Sequence, residues 1–264
     1  MDESTSRAVH RAIAAMEENL SEPITVDDMA RAALFSKFHF SRVFHRATGV
    51  SPGRFLSALR LQRAKDLLVS TTLNVADISL RVGYSSVGTF SYRFSRSVGM
   101  SPTAYRRGRG YTDRLSPAKS ARRDSGRGAR IFGKITGGSV SRSTMVFIGL
   151  FQDRIPEGRP VRCAALELPA VYDFTAVPPG TWWVLAQAVT ADPRPVWDAA
   201  GGRDEVSVAT YGPFTVTHDD VLQVEVALEP AQALDPPVLL ALTDARKEAL
   251  ARVAAAERST VTAA

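Results

Sequence analysis

The residues best suited to chemistry lie in two related stretches, SKFHFSRVFHRATG at 36–49 and SVGTFSYRFSRSVG at 86–99. At a helical period the first buries Phe40, Val43 and Phe44 and leaves Lys37, Phe38, Ser41, Arg42 and His45 outside. An arginine on an exposed helix offers a planar fork that matches O6 and N7 of guanine, and an exposed aromatic ring suits a thymine methyl. Arg42 and Phe38, with Lys37 and Ser41, are therefore candidates for reading base edges, while His45 and Arg46 are placed for phosphate. In the second stretch Phe90 and Phe94 turn inward. Ser86, Val87, Gly88, Ser91 and Tyr92 become the base-reading candidates there, and Thr89 and Arg96 the phosphate candidates.

Other chemistries find less support. A single cysteine, Cys163, excludes an intramolecular disulfide framework and any multi-cysteine zinc site. His39 and His45 lack partner ligands, so no metal and no cofactor is expected. A methyl-acceptor repair protein would need an activated thiolate. Cys163 instead stands in Val-Arg-Cys-Ala-Ala, without a Pro-Cys-His run, so no catalytic residue is named and no enzyme is expected. Trp182 and Trp183 point to opposite faces of one strand, which puts at least one in a core. Trp183, and Trp197 in the loop DPRPVWDAAGG, are the candidates for lining a small-molecule pocket.

The elements that must hold these residues follow from period and punctuation. Val9, Ile13, Met16 and Leu20 predict a helix over 5–19. Thr25 with Asp28 three residues on is a capping pair that opens a second helix, and a third follows at about 36–47. Ser51-Pro52 starts a long helix reaching about Val69. The pattern then repeats. Asn74-Val75-Ala76-Asp77-Ile78 echoes Thr25-Val26-Asp27-Asp28-Met29, and Phe40, Phe44, Arg46, Gly49, Ser51 and Pro52 recur fifty residues later as Phe90, Phe94, Arg96, Gly99, Ser101 and Pro102. Two such units joined by about 18 helical residues, roughly 27 Å, match the roughly 34 Å between successive major grooves.

Charge agrees with this division. Residues 1–128 hold 21 basic and 11 acidic side chains, and the remainder holds 12 and 16, so the net +6 comes wholly from the first half. A polyanion partner is implied for that half, with double-stranded DNA the expected one. A nonspecific architectural protein would not require two units with such complete caps. Residues 109–129 lose apolar period and read as a flexible basic linker. Beyond it the period becomes two, with strands expected at 145–150, 161–166, 181–189, 206–210, 214–217 and 221–228. From Pro237 to Ala256 a final helix is expected, striped by Leu239, Leu242, Leu250 and Val253. The fold class is thus multidomain, α then β: an all-α double helix-turn-helix domain (1–108), a linker (109–129), an antiparallel β-sandwich (130–232) and a C-terminal helix and tail (233–264). Residues 1–108 are expected to fold alone. No apolar run reaches the length of a membrane span and the N-terminus lacks signal-peptide character, which predicts a cytoplasmic protein with no membrane partner.

Residues 5–107 resemble the DNA-binding domain of AraC/XylS-type regulators, and GVSPGRFLSALRLQRAKDLLVSTTLNVADISLRVGYSSVGTFSYRFSRSVGMSPTAYRR is similar to that family's signature almost end to end. The resemblance implies seven helices in two units, control of transcription initiation, and RNA polymerase as a partner. It places Phe38, Ser41 and Arg42 at base-reading positions in the first unit, and Val87, Gly88, Ser91 and Tyr92 in the second. Ser79 stands where the family usually has Ala, and Tyr92 replaces a frequent Arg. The first unit is therefore expected to do most of the base discrimination. The stretch YDFTAVPPGTWWVLAQAV resembles carboxypeptidase-regulatory-like or transthyretin-like sandwiches. That likeness implies a fold and no activity, which leaves sensing of a small-molecule effector or homodimer formation as roles for the second half.

Overall fold

The computed structural model describes residues 3–110, 128–137, 145–189 and 207–240, which fall into two units. The first is helical: α1 (Glu3–Glu18), α2 (Val26–Ala32), α3 (Lys37–Thr48), α4 (Pro52–Ser70), α5 (Val75–Arg81), α6 (Val87–Val98) and α7 (Pro102–Arg107). The caps form as the sequence implies. Thr25 and Asp28 make a reciprocal capping box on α2, while Asn74 caps α5, Ser51 α4 and Ser101 α7. Gly49 and Gly99 end α3 and α6 with φ of 72° and 91°, the left-handed geometry that glycine adopts without steric penalty.

The sequence repeat is also a packing repeat. Phe40, Phe44 and Phe55 stack with centroids 5.4 Å apart at each step, and Phe90, Phe94 and Tyr105 do the same at 5.6 and 5.5 Å. Arginine side chains close several helix ends. Arg60 donates to the carbonyls of Leu20 and Glu22, and Arg106 to those of Leu68 and Leu73.

This unit is not confined to the first 110 residues. Residues 154–158 and 232–240 belong to it as well, and Ile155 and Leu239 are buried in its core. The expectation that 1–108 is self-contained leaves both side chains out. No periodic signal announces Ile155, an apolar residue in an irregular segment, whereas Leu239 reads in the sequence as part of a helical stripe and instead packs from irregular chain. Lys65, buried on α4, donates to the carbonyl of Val238 and to Gln62, and burial lowers its pKa to about 8.

The second unit is a sheet of eight strands: β1 (Ala129–Gly137), β2 (Met145–Phe151), β3 (Arg162–Glu167), β4 (Ala170–Val177), β5 (Gly180–Val189), β6 (Ser207–Val216), β7 (Val221–Gln223) and β8 (Val226–Pro230). Their order is β3-β2-β5-β6-β8-β1-β4, with β7 also paired to β1. Where the sequence suggested a wholly antiparallel sandwich, β1 pairs in parallel with β7 and β8, and one continuous path of strands curls toward closure. Arg162 on β3 donates to the carbonyls of Thr175 and Ala176 on β4, which brings the two ends of the path together.

Three details differ from the strand pattern read in the sequence. The two strands expected at 206–210 and 214–217 are one strand, β6, which passes through Gly212 at φ 131° with a cis bond to Pro213. The single strand expected at 221–228 breaks at Val224, whose N–H is taken by Phe132 and whose carbonyl accepts the Tyr172 hydroxyl at 2.7 Å. Gly133 permits that approach, since a Cβ there would stand 1.8 Å from the Val224 oxygen. Strands β1 and β4 were not foreseen, although β4 alternates inward Tyr172 and Phe174 with outward Asp173 and Thr175. The C-terminal helix is likewise not found where it was expected to start. Residues 237–240 are irregular, with Leu239 and Leu240 buried, so Leu239 is no part of a surface stripe. Leu242, Leu250 and Val253 lie outside the described residues, as do 111–127 of the linker and Trp197.

Candidate nucleic-acid interface

Each unit sets one helix forward on a brace. In the first, α2 and α3 are joined by Ala33-Leu34-Phe35-Ser36, and Leu34 makes the turn at φ 61°. In the second, the corresponding position is Gly83 at φ 81°. Leucine in this region is strained by about 1–2 kcal/mol, and Leu34 is 79% exposed, so its side chain recovers little by burial.

The exposed face of α3 carries Lys37, Phe38, His39, Arg42, His45 and Arg46. Phe38 is 82% exposed, which is unusual for a ring that packs against nothing in its own fold. Arg42 and Arg46 make no ion pair among the described residues, whereas the Lys37 ammonium sits 2.8 Å from the Asp27 carboxylate. That pair is open to water and contributes at most about 1 kcal/mol, so a phosphate or base can displace it. Ser41 is half-buried and donates to the Lys37 carbonyl at 2.9 Å, which leaves its oxygen as an acceptor toward a ligand. Between α3 and the start of α4 lies an open depression of about 820 Å³, lined by Ser41, Arg42, His45, Arg46, Ser51, Pro52 and Gly53 with Val26. Nothing stands within 4 Å of a Cβ built on Gly53. The Gly53 amide in the first turn of α4 thus adjoins two arginines and a histidine, a combination suited to a phosphate.

The second forward helix, α6, differs in kind. Ser86 accepts from the Thr89 amide, so its hydroxyl oxygen serves the helix cap. Val87, Gly88, Thr89 and Tyr92 are exposed and Ser91 is half-buried. Arg96 is exposed in the last turn, and Arg93, which the sequence reading passed over, is exposed beside Tyr92. The repeat concealed Arg93, because its counterpart in the first unit is the half-buried Val43. The nine base-reading candidates therefore fall on two short helices, α3 and α6, or at the cap of the latter.

The pocket candidates sit elsewhere. Trp182 is buried and its indole N–H donates to Pro178 at 2.9 Å, which accounts for it as core. Trp183, on the opposite face, is half-buried, and its ring lies 3.2 Å from where a Cβ on Gly212 would stand. Cys163 is half-buried near the start of β3 opposite Gly149.

Comparison with known proteins gives these observations a setting. A family model described as a helix-turn-helix domain matches residues 29–108. The transcriptional activator AarP of Providencia stuartii is 35% identical over 101 residues, covering 38% of this chain and 75% of that protein. The lactose operon transcription activator of Staphylococcus xylosus is 31% identical over 98 residues, but the match spans only 35% of its length. Among solved structures, a regulator from Chromobacterium violaceum described as carrying an AraC-type DNA-binding domain is 30% identical. That match covers 41% of this chain and 96% of that one, with a TM-score of 0.39. All these matches concern the helical part of the chain.

Proposed function

This chain belongs to the AraC family of helix-turn-helix transcriptional regulators, and from that premise we propose that it binds specific double-stranded DNA sequences through both units, with α3 and α6 entering adjacent major grooves. The observation that carries the reading is the packing repeat. Two equivalent aromatic stacks support two corresponding forward helices, and each presents an exposed face of charged or polar side chains. In this reading Arg42 and Phe38 discriminate bases, Lys37 and Ser41 assist, and His45 and Arg46 hold the backbone beside the α4 N-terminus. On α6, Val87, Gly88, Ser91 and Tyr92 offer shape and a methyl-compatible surface, with Thr89 and Arg96 toward phosphate. RNA polymerase is the partner through which bound protein would act on transcription.

The β unit is assigned a regulatory role, either effector sensing or association of two copies. No catalytic role is assigned to Cys163, which stands in Val-Arg-Cys-Ala-Ala without a Pro-Cys-His run. Selection of bound sequences from random DNA by the full chain tests the central claim. On the selected site, Arg42→Ala should cost about 1–3 kcal/mol and relax preference at one position. Arg46→Ala should weaken all sequences alike and flatten the salt slope by about one unit. Identical behaviour of the two substitutions would overturn the assignment of the α3 face.

A further inference from the structure

We infer that Glu157, fifty residues beyond α7, is a positioning residue that fixes the two helix-turn-helix units at one spacing and thereby sets which groove separation the chain accepts. The inference rests on the reading that both units bind DNA. Its basis is a bridge that no helix-turn-helix motif supplies. One carboxylate oxygen of Glu157 accepts from the Arg54 guanidinium at 3.0 Å, in the first turn of α4 beside the first unit. The other accepts from the Ser97 hydroxyl at 2.7 Å, in the last turn of α6. The next residue adds a backbone bond, with the Gly158 N–H donating to the Ser97 carbonyl at 2.8 Å.

The bridge has a firm footing. Ile155 is buried in the helical core, and Arg154 lies over Gly49 at the end of α3, with Asp235 at 3.6 Å. The Leu239 N–H donates to the Pro156 carbonyl, so the two inserted segments brace each other. The shared apolar core already brings the units together, but burial is non-directional and tolerates small rotations. Charge-assisted bonds to two helices are directional and resist them. Arg154 itself meets the first repeat alone: a Cβ on Gly49 would stand 2.4 Å from its side chain, while a Cβ on Gly99 would meet nothing within 4 Å.

The test uses the full chain with Cys163→Ser, His39→Cys and Thr89→Cys, spin-labelled on α3 and α6. The parent should show one narrow inter-label distance distribution, and Glu157→Ala should widen it at least twofold while melting cooperatively. Glu157→Gln, which keeps an acceptor for Ser97 and loses the charge toward Arg54, should lie between. An unchanged width in a folded Glu157→Ala overturns the inference, and if that variant does not fold, the width of Glu157→Gln decides in the same way. On DNA, each inserted base pair turns one groove against the other by about 35°. The unlabelled chain should reject a selected site lengthened by one pair at least tenfold, and Glu157→Ala less than threefold. Equal rejection by both also overturns the inference. Failure of the unlabelled chain to select any sequence would overturn the DNA reading instead, with the distance widths still reporting on the bridge.

Discussion

The two helical repeats share a core and differ in much of what is built upon it. Phe40, Phe44 and Phe55 correspond to Phe90, Phe94 and Tyr105 in identity of role and almost in geometry. Their forward faces diverge: α3 shows Phe38, Arg42 and His45 where α6 has Gly88, Tyr92 and Ser95, although Arg46 and Arg96 are exposed at corresponding positions. Their turns diverge too, with Leu34 against Gly83, and so do their helix ends, with Gly49 under Arg154 and Gly99 open. A duplicated fold is held by the positions that pack. The exposed positions are free to specialise, since substitutions there usually change stability by less than about 0.5 kcal/mol.

If the cores are equivalent, the largest effects should be equal. Phe40→Ala and Phe90→Ala should each cost about 3–5 kcal/mol in denaturant unfolding, as a single transition. Separate transitions for the two variants would break the equivalence and make the units independent. A second expectation concerns α4, which joins them. Lys65 has its pKa lowered by burial from the usual lysine value of 10.5 to about 8, so the folded state binds its proton less tightly than the unfolded chain does. Its burdened charge is carried fully below pH 8, and stability should rise between pH 8 and 10.5 at up to about 1.4 kcal/mol per unit. Lys65→Met should lack that rise, and the comparison of pH-dependent melting isolates it. A parallel pH profile for parent and variant would show that Lys65 is solvated.

Smaller effects sharpen the contrast between the units. Gly49→Ala and Gly99→Ala both force alanine into left-handed geometry at about 1–2 kcal/mol. Gly49→Ala should cost about 1 kcal/mol more, because it must also displace the Arg154 side chain. Equal losses would show that the segment carrying Arg154 moves aside freely. The smallest change is a gain. Leu34→Gly should raise stability by up to about 1 kcal/mol, since relief of strain is partly offset by greater freedom of the unfolded chain. If the same variant weakens DNA binding, the exposed leucine is held in place for contact with DNA.

The helical half was legible because its signals are local. Caps such as Thr25 with Asp28, terminators such as Gly49 and the 3.6-residue spacing of Phe40 and Phe44 act over a few residues, so sequence order alone states them. The exposure of Phe38 and Arg42 follows from that same period. In the β half the alternation of Leu222, Val224, Val226 and Leu228 was legible, but the break at Val224 was not, because it depends on Gly133 and Tyr172 arriving from two other strands. The parallel pairing of β1 with β7 and β8 was hidden for the same reason. Ile155 and Glu157 are the extreme case: residues of an irregular segment with no period to mark them, which join a core and bridge two helices formed far earlier in the chain. Leu239 reads in the sequence as part of a helical stripe and packs into that core from irregular chain instead. By itself the sequence determined the two units and their exposed faces, because helix formation and amphipathic burial are decided by near neighbours. Only the tertiary structure decided what ties those units together, because the energy of a buried side chain or a charge-assisted bond depends on which distant residues fold up against it.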